Sequence, residues 1–296
     1  MHMPRPRYFV GVAFLALVAL IIGGIIQDYR QALPWQHQMA ITVVTPSFNQ
    51  AEYLEATIRS VLLQNYPNLE YLVVDGGSTD GSVEIIRAYA PHLGYWVSEP
   101  DRGQAHAINK AFARATGDVL CWLNSDDTYQ PGTLHTVGSM LHDGSGVLAI
   151  TGHCLRVHVD SRPPHVLRGA FRSRDDLLRF WRRYSMHQPS VFWRRELTDE
   201  VGLLDESLDL ILDFDYWARL SELTPFVEVD RVLSVATGHA AAKTADGYFT
   251  YHRDLRRHAR KYWGSPRSTR YWRLTVEMHY AYWIRRLRNV TRRLGR

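Results

Sequence analysis

Short apolar runs alternate with amphipathic segments from residue 40 onwards. The runs AITVVT (40–45), EYLVVD (70–75), YWVS (95–98) and DVLCWL (118–123) are typical of buried β-strands. Between them, apolar residues recur every three or four positions, as on one face of a helix. Strand, loop and helix repeated at this interval predict an α/β fold with a doubly wound sheet.

The alternation becomes less regular beyond residue 150. SVFW (190–193) and PFVEV (225–229) predict two further strands, and helices are expected near 175–183 and 213–221. We therefore predict one domain over residues 40–250, with a regular first half (40–135) and a second half (136–250) whose sheet is mixed or antiparallel.

The N-terminus carries a different pattern. Residues 8–26 contain no charged side chain, and nineteen apolar residues just cross the hydrocarbon core of a bilayer. We predict a transmembrane helix within an N-terminal anchor (1–30). A cleaved signal peptide is the alternative, but the run is long for one and no convincing cleavage site follows. A buried helix of a soluble domain is a second alternative, which apolarity on all sides over five turns disfavours.

Basic residues are concentrated at the C-terminus. The net charge is +5, yet residues 253–296 contain fourteen Lys or Arg against Asp254 and Glu277, so the remainder is slightly acidic. This distribution argues against a nucleic-acid partner. Trp and Tyr interleave with the arginines, which predicts a basic amphipathic helical tail (251–296) at an anionic membrane surface, or else a solvated basic tail.

Polar loops follow all four strands of the first half. They are TPSFNQ (45–50), DGGSTDGS (75–82), SEPDRGQ (98–104) and NSDD (124–127). Because ligands of doubly wound sheets bind beyond the carboxyl ends of the strands, these loops are expected to converge on one site.

Two acidic pairs are candidates for chemistry. Asp126 and Asp127 are adjacent and directly follow a strand, where a divalent cation such as Mg²⁺ or Mn²⁺ would relieve their repulsion. Taken alone, the pair also suits a solvated turn. In LDFDYWARL (212–220), Asp213 and Asp215 suit either a general base or the acidic first turn of a helix. Spacing does not choose between these readings.

Several long segments in order resemble the family 2 glycosyltransferases, inverting enzymes with the GT-A fold. They include TPSFNQAEYLEATIRSVLLQNYPNLEYLVVDGGSTDGS, SEPDRGQAHAINKAFARATGDVLCWLNSDD, TYQPGTL and MHQPSVFWRRELTDEVGLLDESL, so the resemblance covers roughly residues 40–240. It implies an enzyme that moves a sugar from a nucleotide-diphosphate sugar to an acceptor hydroxyl, in bacterial polysaccharide or glycolipid synthesis. The first half would then bind the nucleotide and the second half the acceptor.

The resemblance also implies residue roles on the donor side. Asp75 would bond the nucleotide base, Asp126 would lie near the ribose and the metal, and Asp127 would bind the metal that bridges the diphosphate. The residues expected to line or face the donor are Thr45, Pro46, Asn49, Arg102, Gln104 and Asn109.

On the acceptor side, the resemblance makes Asp213 the catalytic base and places Gln188 and Pro189 beside the acceptor. His239, with Lys243 and Thr244, would belong to a loop that closes over the diphosphate, and His239 is a further candidate metal ligand. Two positions depart from the family pattern. Leu212 replaces a frequent Glu, and His106 replaces a frequent Asp, although His106 also suits an ordinary helix surface.

Two other functions are compatible with parts of the pattern. A nucleotidyltransferase would need a glycine-rich, basic triphosphate loop after the first strand, which TPSFNQ does not provide. A non-catalytic sugar-nucleotide-binding protein would not need Asp126, Asp127 and Asp213 together. The expected partners are therefore the donor, a hydroxyl acceptor that a membrane location would allow to be lipid-linked, and the membrane.

The orientation in that membrane is a separate prediction. Arg5 and Arg7 precede the apolar run, which by the positive-inside rule would export the domain. A bacterial nucleotide sugar is cytosolic, so we expect the catalytic domain to face the cytosol.

Overall fold

The predicted alternation of strands and helices forms the first half of the sheet. The computed structural model describes residues 39–160, 162–179, 181, 186–239, 242–243 and 247–294. Its first elements are β1 (Ile41–Ser47), α1 (Ala51–Leu62), β2 (Leu69–Asp75), α2 (Ser82–Tyr89), β3 (Tyr95–Ser98), α3 (Gln104–Phe112) and β4 (Val119–Trp122). The four strands are parallel, in the order β3-β2-β1-β4. The predicted strands are confirmed to within two residues at either end.

The second half continues the same sheet. Its elements are β5 (Thr128–Tyr129), α4 (Thr133–Met140), β6 (Ala149–His158), β7 (His165–Leu167), α5 (Arg174–Leu177), β8 (Val191–Arg194), α6 (Arg195–Val201), α7 (Leu212–Leu223) and β9 (Val227–Gly238). The order runs on as β4-β8-β6-β9-β5, with β7 paired to β6. Since β8 is antiparallel to both neighbours and β9 is parallel to β6, this half is mixed, as predicted.

Two features of this half differ from the prediction. The strands β6 and β7 were not anticipated, because polar residues such as His153 and Arg156 interrupt the apolar pattern of β6. Strand β9 extends nine residues past the predicted end at residue 229, through the polar stretch that follows. Pairing along the whole of β6 supports this length.

The basic tail forms two helices, α8 (Gly247–Trp263) and α9 (Thr269–Leu294), so its predicted helical character is confirmed. Helix α8 buries Leu255, Tyr262 and Trp263, and α9 buries Leu274 and Met278. The tail therefore contributes to the core. Among the described residues no helix is both long and apolar enough to cross a bilayer, and the predicted anchor (1–30) lies outside them.

An aromatic cluster fixes α7 against the sheet. The indole of Trp217 on α7 stacks on that of Trp122 on β4, with centroids 5.1 Å apart and an interplanar angle of 15°. Trp193 of β8 packs edge-on against Trp122 at 5.7 Å, and Tyr216 packs against Trp193 at 5.4 Å. All four side chains are fully buried. Because these rings leave little free volume, they set the position of α7 relative to the end of β4.

The order of strands reverses direction between β1 and β4. From β1 the chain passes to β2 and β3 on one side, whereas β4 lies on the other side. Such a switch point opens a crevice at the carboxyl ends of the two strands, where ligands of open α/β sheets bind.

Candidate functional site

A cavity of about 770 Å³ lies at this switch point. Its walls come from the loops after β1, β2, β3 and β4, from β6, β7 and β9, and from the start of α7. The convergence of the four strand-end loops predicted from the sequence is therefore observed. The lining residues that carry the following description are Pro46, Ser47, Phe48, Asp101, Gln104, Asp126, Asp127, Arg156, Gln188 and Asp213.

The loop after β4 is held by helix α1. The fully buried hydroxyl of Thr57 donates to the backbone carbonyls of Ser125 and Asp127, at 2.9 and 2.7 Å. The Asp127 amide donates to the Asn124 carbonyl at 3.0 Å and closes the turn. Both aspartates therefore project from a turn that is tied to the core.

The two carboxylates have different partners, one on strand β9 and one directly after it. The Thr237 amide donates to Asp127 Oδ1 at 3.1 Å, and His239 Nε2 lies 3.0 Å from Asp126 Oδ2. Asp127 is only 6% exposed. Burial, and next the charge of Asp126, hold the pKa of the Asp127 carboxyl well above its usual range. A nearby cation would offset the free-energy cost of ionising the buried Asp127 carboxyl beside Asp126.

These residues fit a divalent cation of the hard, oxygen-preferring kind. Mg²⁺ and Mn²⁺ sites at phosphate substrates use one or two carboxylates and leave other positions to water and phosphate oxygens. Within the described part of the chain, no group of three or more His, Cys, Asp and Glu side chains forms a complete metal cage. Asp126 and Asp127 thus suit a cation shared with a ligand.

His239 lies at the edge of this arrangement. Its ring stacks on Tyr53 of α1, with centroids 4.5 Å apart, and its side chain is 4% exposed. The imidazole is therefore fixed in position beside Asp126. Its role as a metal ligand stays a prediction.

Asp213 and Asp215 are separated by the structure. Asp213 lines the cavity, in the first turn of α7. Asp215 is fully buried on another face of the helix, where it accepts hydrogen bonds from Tyr262 at 2.9 Å, Lys261 at 2.6 Å and Arg219 at 3.0 Å. Asp215 therefore joins α8 to α7, and of the two aspartates it is Asp213 that lines the cavity.

Pro46 and Gln104 line the cavity as the sequence predicted, whereas Thr45 and Asn49 are not among its lining residues. Thr45 is fully buried and bonds the Tyr71 hydroxyl at 3.0 Å. Asn49 has φ of 51°, and its Oδ1 accepts from the Thr79 amide at 3.0 Å, which joins the loops after β1 and β2.

Asp75 is likewise not among the lining residues. Its carboxylate is fully buried and accepts hydrogen bonds from the amides of Gly77 and Ser78 and from the hydroxyls of Ser78 and Ser98. Four donors occupy most of the lone pairs of a carboxylate. In this structure Asp75 shapes the loop, and its predicted bond to a base stays a prediction.

Arg102 and Asn109 meet at Glu206. Arg102 forms a salt bridge with Glu206 at 2.5 Å, and Asn109 donates to the Glu206 carboxylate at 3.2 Å and to the Leu204 carbonyl at 3.0 Å. The Leu204 amide in turn donates to Asn109. These contacts tie α3 to the segment after α6, outside the cavity lining.

Gln188 and Pro189 lie in the cavity wall on the side of α7. The Gln188 side-chain amide donates to the Trp122 carbonyl at 2.6 Å. Its Oε1 atom is buried and accepts no hydrogen bond from any described residue. An unpaired buried acceptor is costly, so this atom is suited to a ligand hydroxyl.

Of the ten lining residues named above, four were missed as individual candidates. Ser47, Phe48 and Asp101 lie in the polar loops that the sequence singles out, so loop position alone could have suggested them. Arg156 lies within β6, which the hydrophobic pattern did not reveal. No sequence signal pointed to it.

The family model for glycosyl transferase family 2 matches residues 42–202, just over half of the chain and most of the cavity wall. The chain belongs to this family. The resemblance inferred from its motifs is confirmed.

Two curated relatives of family 2 show how far the similarity extends. An uncharacterized glycosyltransferase of Mycobacterium tuberculosis is 41% identical over 90 residues, which are 30% of this chain and 34% of the relative. TuaG of Bacillus subtilis, named for teichuronic acid biosynthesis, is 36% identical over 120 residues, 39% of this chain and 47% of TuaG. The matched segments span about a third to a half of these relatives.

Solved structures confirm the GT-A-like α/β fold. S. aureus TarS, in complex with UDP-GlcNAc, superposes with a TM-score of 0.59 at 19% identity, over 75% of this chain and 66% of that one. The mannosyltransferase PcManGT of Pyrobaculum calidifontis, in complex with GDP-Man and Mn²⁺, superposes with a TM-score of 0.57 at 22% identity. The superposition covers 90% of this chain and 79% of that one.

Proposed function

We propose that this family 2 protein transfers a sugar from a nucleotide-diphosphate sugar to an acceptor hydroxyl, with inversion at the anomeric carbon. One observation carries the proposal: the paired carboxylates of Asp126 and Asp127 and the separate carboxylate of Asp213 open into one cavity at the switch point of the sheet. Transfer needs both groups, one for the diphosphate end and one for the incoming hydroxyl.

The donor would occupy the wall made by the loops after β1, β2 and β3. Phe48 is 59% exposed beside Gly76, and Asp101 faces the same glycine, where an added Cβ would lie 2.8 Å from Asp101 Oδ2. The exposed Phe48 ring and the Asp101 carboxylate flank the backbone of Gly76. This arrangement suits a planar nucleotide base that stacks on the ring and forms hydrogen bonds through its edge. The solved relatives bind UDP and GDP sugars, which supports a nucleotide here.

A divalent cation, Mn²⁺ or Mg²⁺, would be held by Asp126 and Asp127. When bound, it would neutralise charge on the diphosphate leaving group. The Mn²⁺ in PcManGT supports this cofactor. His239 would hold Asp126 in place, or complete the ligand set itself.

Asp213 would act as the general base. As the acceptor oxygen bonds to the anomeric carbon, the bond from that carbon to the diphosphate oxygen breaks and its electron pair leaves with the diphosphate. The hydroxyl proton passes to the Asp213 carboxylate. The aromatic packing between α7 and β4 keeps this carboxylate in register with the aspartate pair, and Gln188 Oε1 would accept a bond from an acceptor hydroxyl.

Two competing functions fit less well. A nucleotidyltransferase would handle a triphosphate, and the loop after β1 supplies neither glycines nor basic residues for one. A protein that only binds the donor would have no use for the cavity-facing Asp213. TuaG, with its name from teichuronic acid biosynthesis, supports a role in polysaccharide synthesis.

Thermal-shift measurements with a panel of UDP, GDP and other nucleotide sugars, with and without Mn²⁺, test donor binding. We expect at least one donor to raise the Tm, more so with Mn²⁺, and Asp127→Ala to lose the Mn²⁺-dependent part. Asp213→Asn should bind the same donor normally. A panel without any stabilising nucleotide sugar would refute the donor proposal.

We also propose that the protein works at a membrane, through a single-pass anchor within residues 1–30 and with its catalytic domain in the cytosol. A lipid-linked acceptor would suit this location. Helix α9 supports the membrane surface, because Trp272, Val276, Tyr280 and Trp283 are 53–69% exposed. Steps of four, four and three residues place them on one stripe, opposite the buried Leu274 and Met278. Aromatic residues on a basic helix favour an anionic bilayer interface.

Flotation with vesicles separates the two membrane contacts. A chain beginning at residue 31 should still float with phosphatidylglycerol vesicles at low salt, and not with phosphatidylcholine alone. Trp272→Ser with Tyr280→Ser should abolish this binding, whereas Leu63→Ser, at an exposed leucine of the catalytic domain, should not. Full solubility of the truncated chain with anionic vesicles would refute the role of α9.

A further inference from the structure

Arg156 is a cation inside the cavity that the proposed chemistry has not yet used. It lies on β6 opposite Ala236 of β9, and it faces the cavity together with Cys154, two residues earlier on the same side of the strand. Within the described part of the chain, the guanidinium group of Arg156 forms no hydrogen bond or ion pair. An arginine seldom stays partly buried without an anionic partner.

Its guanidinium lies against Gly238. A Cβ built on that glycine would lie 3.2 Å from Arg156 Nη2 and 2.6 Å from His158 Nδ1. The missing side chain of Gly238 therefore leaves the space into which the guanidinium reaches. The neighbours of Gly238 in sequence are Thr237 and His239, and each of them bonds one aspartate of the Asp126–Asp127 pair.

The charge of Arg156 acts on this part of the cavity. It lowers the pKa of Asp127, against the larger effects of burial and Asp126, and it contributes to the low pKa of the buried His187. Among the described lining residues the other cation, Lys243, already has an anionic partner in Asp209 at 2.5 Å and also lies 3.4 Å from Gln104 Oε1. Of these two described cations, Arg156 is thus the one that remains available to a ligand.

We propose that Arg156 binds the diphosphate of the nucleotide donor beside the aspartate pair. The inference rests on the proposed function, because it takes the donor to be a nucleotide-diphosphate sugar. A guanidinium offers two parallel N–H donors to a phosphate, which a single ammonium group does not. As the bond to the anomeric carbon breaks, the diphosphate gains one negative charge, so a fixed cation stabilises the transition state more than the bound donor.

Calorimetric titrations of the full-length chain with UDP, GDP, uridine and guanosine in Mn²⁺ test the proposal. For the diphosphate that binds wild type, Arg156→Met should weaken affinity by roughly 10- to 100-fold, since a charge-assisted contact is lost. Affinity for the matching nucleoside should not change. Arg156→Lys should recover part of the loss, and Arg162→Met, which removes an exposed arginine in the loop between β6 and β7, should bind as wild type.

Thermal unfolding checks that the Arg156 variants are folded.

The outcomes separate the two proposals. Unchanged diphosphate affinity in Arg156→Met would overturn the assignment of Arg156, as would an equal loss for the nucleoside. A wild-type chain that no nucleotide sugar of the panel stabilises would overturn the proposed function as well.

Discussion

Replacing Asp215 by alanine should destabilise the protein without disturbing its donor site. Asp215 and Asp213 lie two residues apart and their spacing alone does not distinguish them, yet Asp215 is fully buried and Asp213 lines the cavity. The Asp215→Ala change removes the acceptor of Tyr262, Lys261 and Arg219 at once. Burial and the adjacent carboxylate raise the pKa of Tyr262, so its hydroxyl stays a proton donor that loses its partner.

The size of the effect follows from the contacts that remain. Breaking one side of a buried ion pair costs about 3–5 kcal/mol. Arg219 keeps the carbonyls of Val201 and Leu203, and Lys261 is 40% exposed and can return to water, so the lower end applies. A loss of about 3 kcal/mol corresponds to a Tm decrease of roughly 6–12 °C for a domain of this size.

The loss of stability can be measured by thermal and urea unfolding of three variants, Asp215→Ala, Asp213→Asn and Asp160→Ala. Asp160 pairs with Arg162 on the surface, and its removal should leave the Tm unchanged, as should Asp213→Asn. Calorimetry of Asp215→Ala below its Tm should give wild-type nucleotide affinity. A stable Asp215→Ala variant, or an unstable Asp213→Asn variant, would refute the division of roles between the two aspartates.

Three further predictions concern the cavity wall. Burial lowers the pKa of His187 to about 4, so the native state binds fewer protons than the unfolded state between pH 4 and 6.5. Stability should therefore fall as the pH drops through that window, by about 2 kcal/mol from pH 6.5 to 5, and urea unfolding of His187→Asn should show a weaker dependence. Gly76→Ala should weaken nucleotide binding in calorimetry, because its Cβ would lie 2.8 Å from Asp101 Oδ2; wild-type affinity would remove this wall from the base site. Thr57→Val should cost about 1–3 kcal/mol and reduce the Mn²⁺-dependent Tm shift, since two carbonyls of the Asp127 turn lose their donor; an unchanged shift would show that the turn holds without it.

The sequence predicts those parts of the fold that rest on local periodicity. Strands such as VLCW (119–122) are apolar throughout because both faces of a parallel sheet are buried, and their order along the chain implies converging loops. Strand β6 was missed because Arg156, a polar residue, occupies one of its cavity-facing positions. A polar residue at such a position interrupts the hydrophobic pattern from which strands are recognised.

The sequence also predicts which loops form the candidate site, but not which of their side chains enter the cavity. Its strand-end loops follow from topology, but the direction of each side chain depends on tertiary contacts. Asp75 turns inward because Gly77, Ser78 and Ser98 supply its hydrogen bonds. The separation of Asp215 from the cavity depends on Lys261 and Tyr262 of α8, more than forty residues later in the chain.

Release of nucleoside diphosphate from the donor found in the binding panel, measured with Mn²⁺ and a lipid or polysaccharide acceptor fraction, tests the central claim most directly. The wild-type chain should release diphosphate and form a glycosylated product with inverted anomeric configuration, while Asp213→Asn binds the donor and releases none. Release by Asp213→Asn at the wild-type rate, or a product that retains the anomeric configuration, would contradict the account.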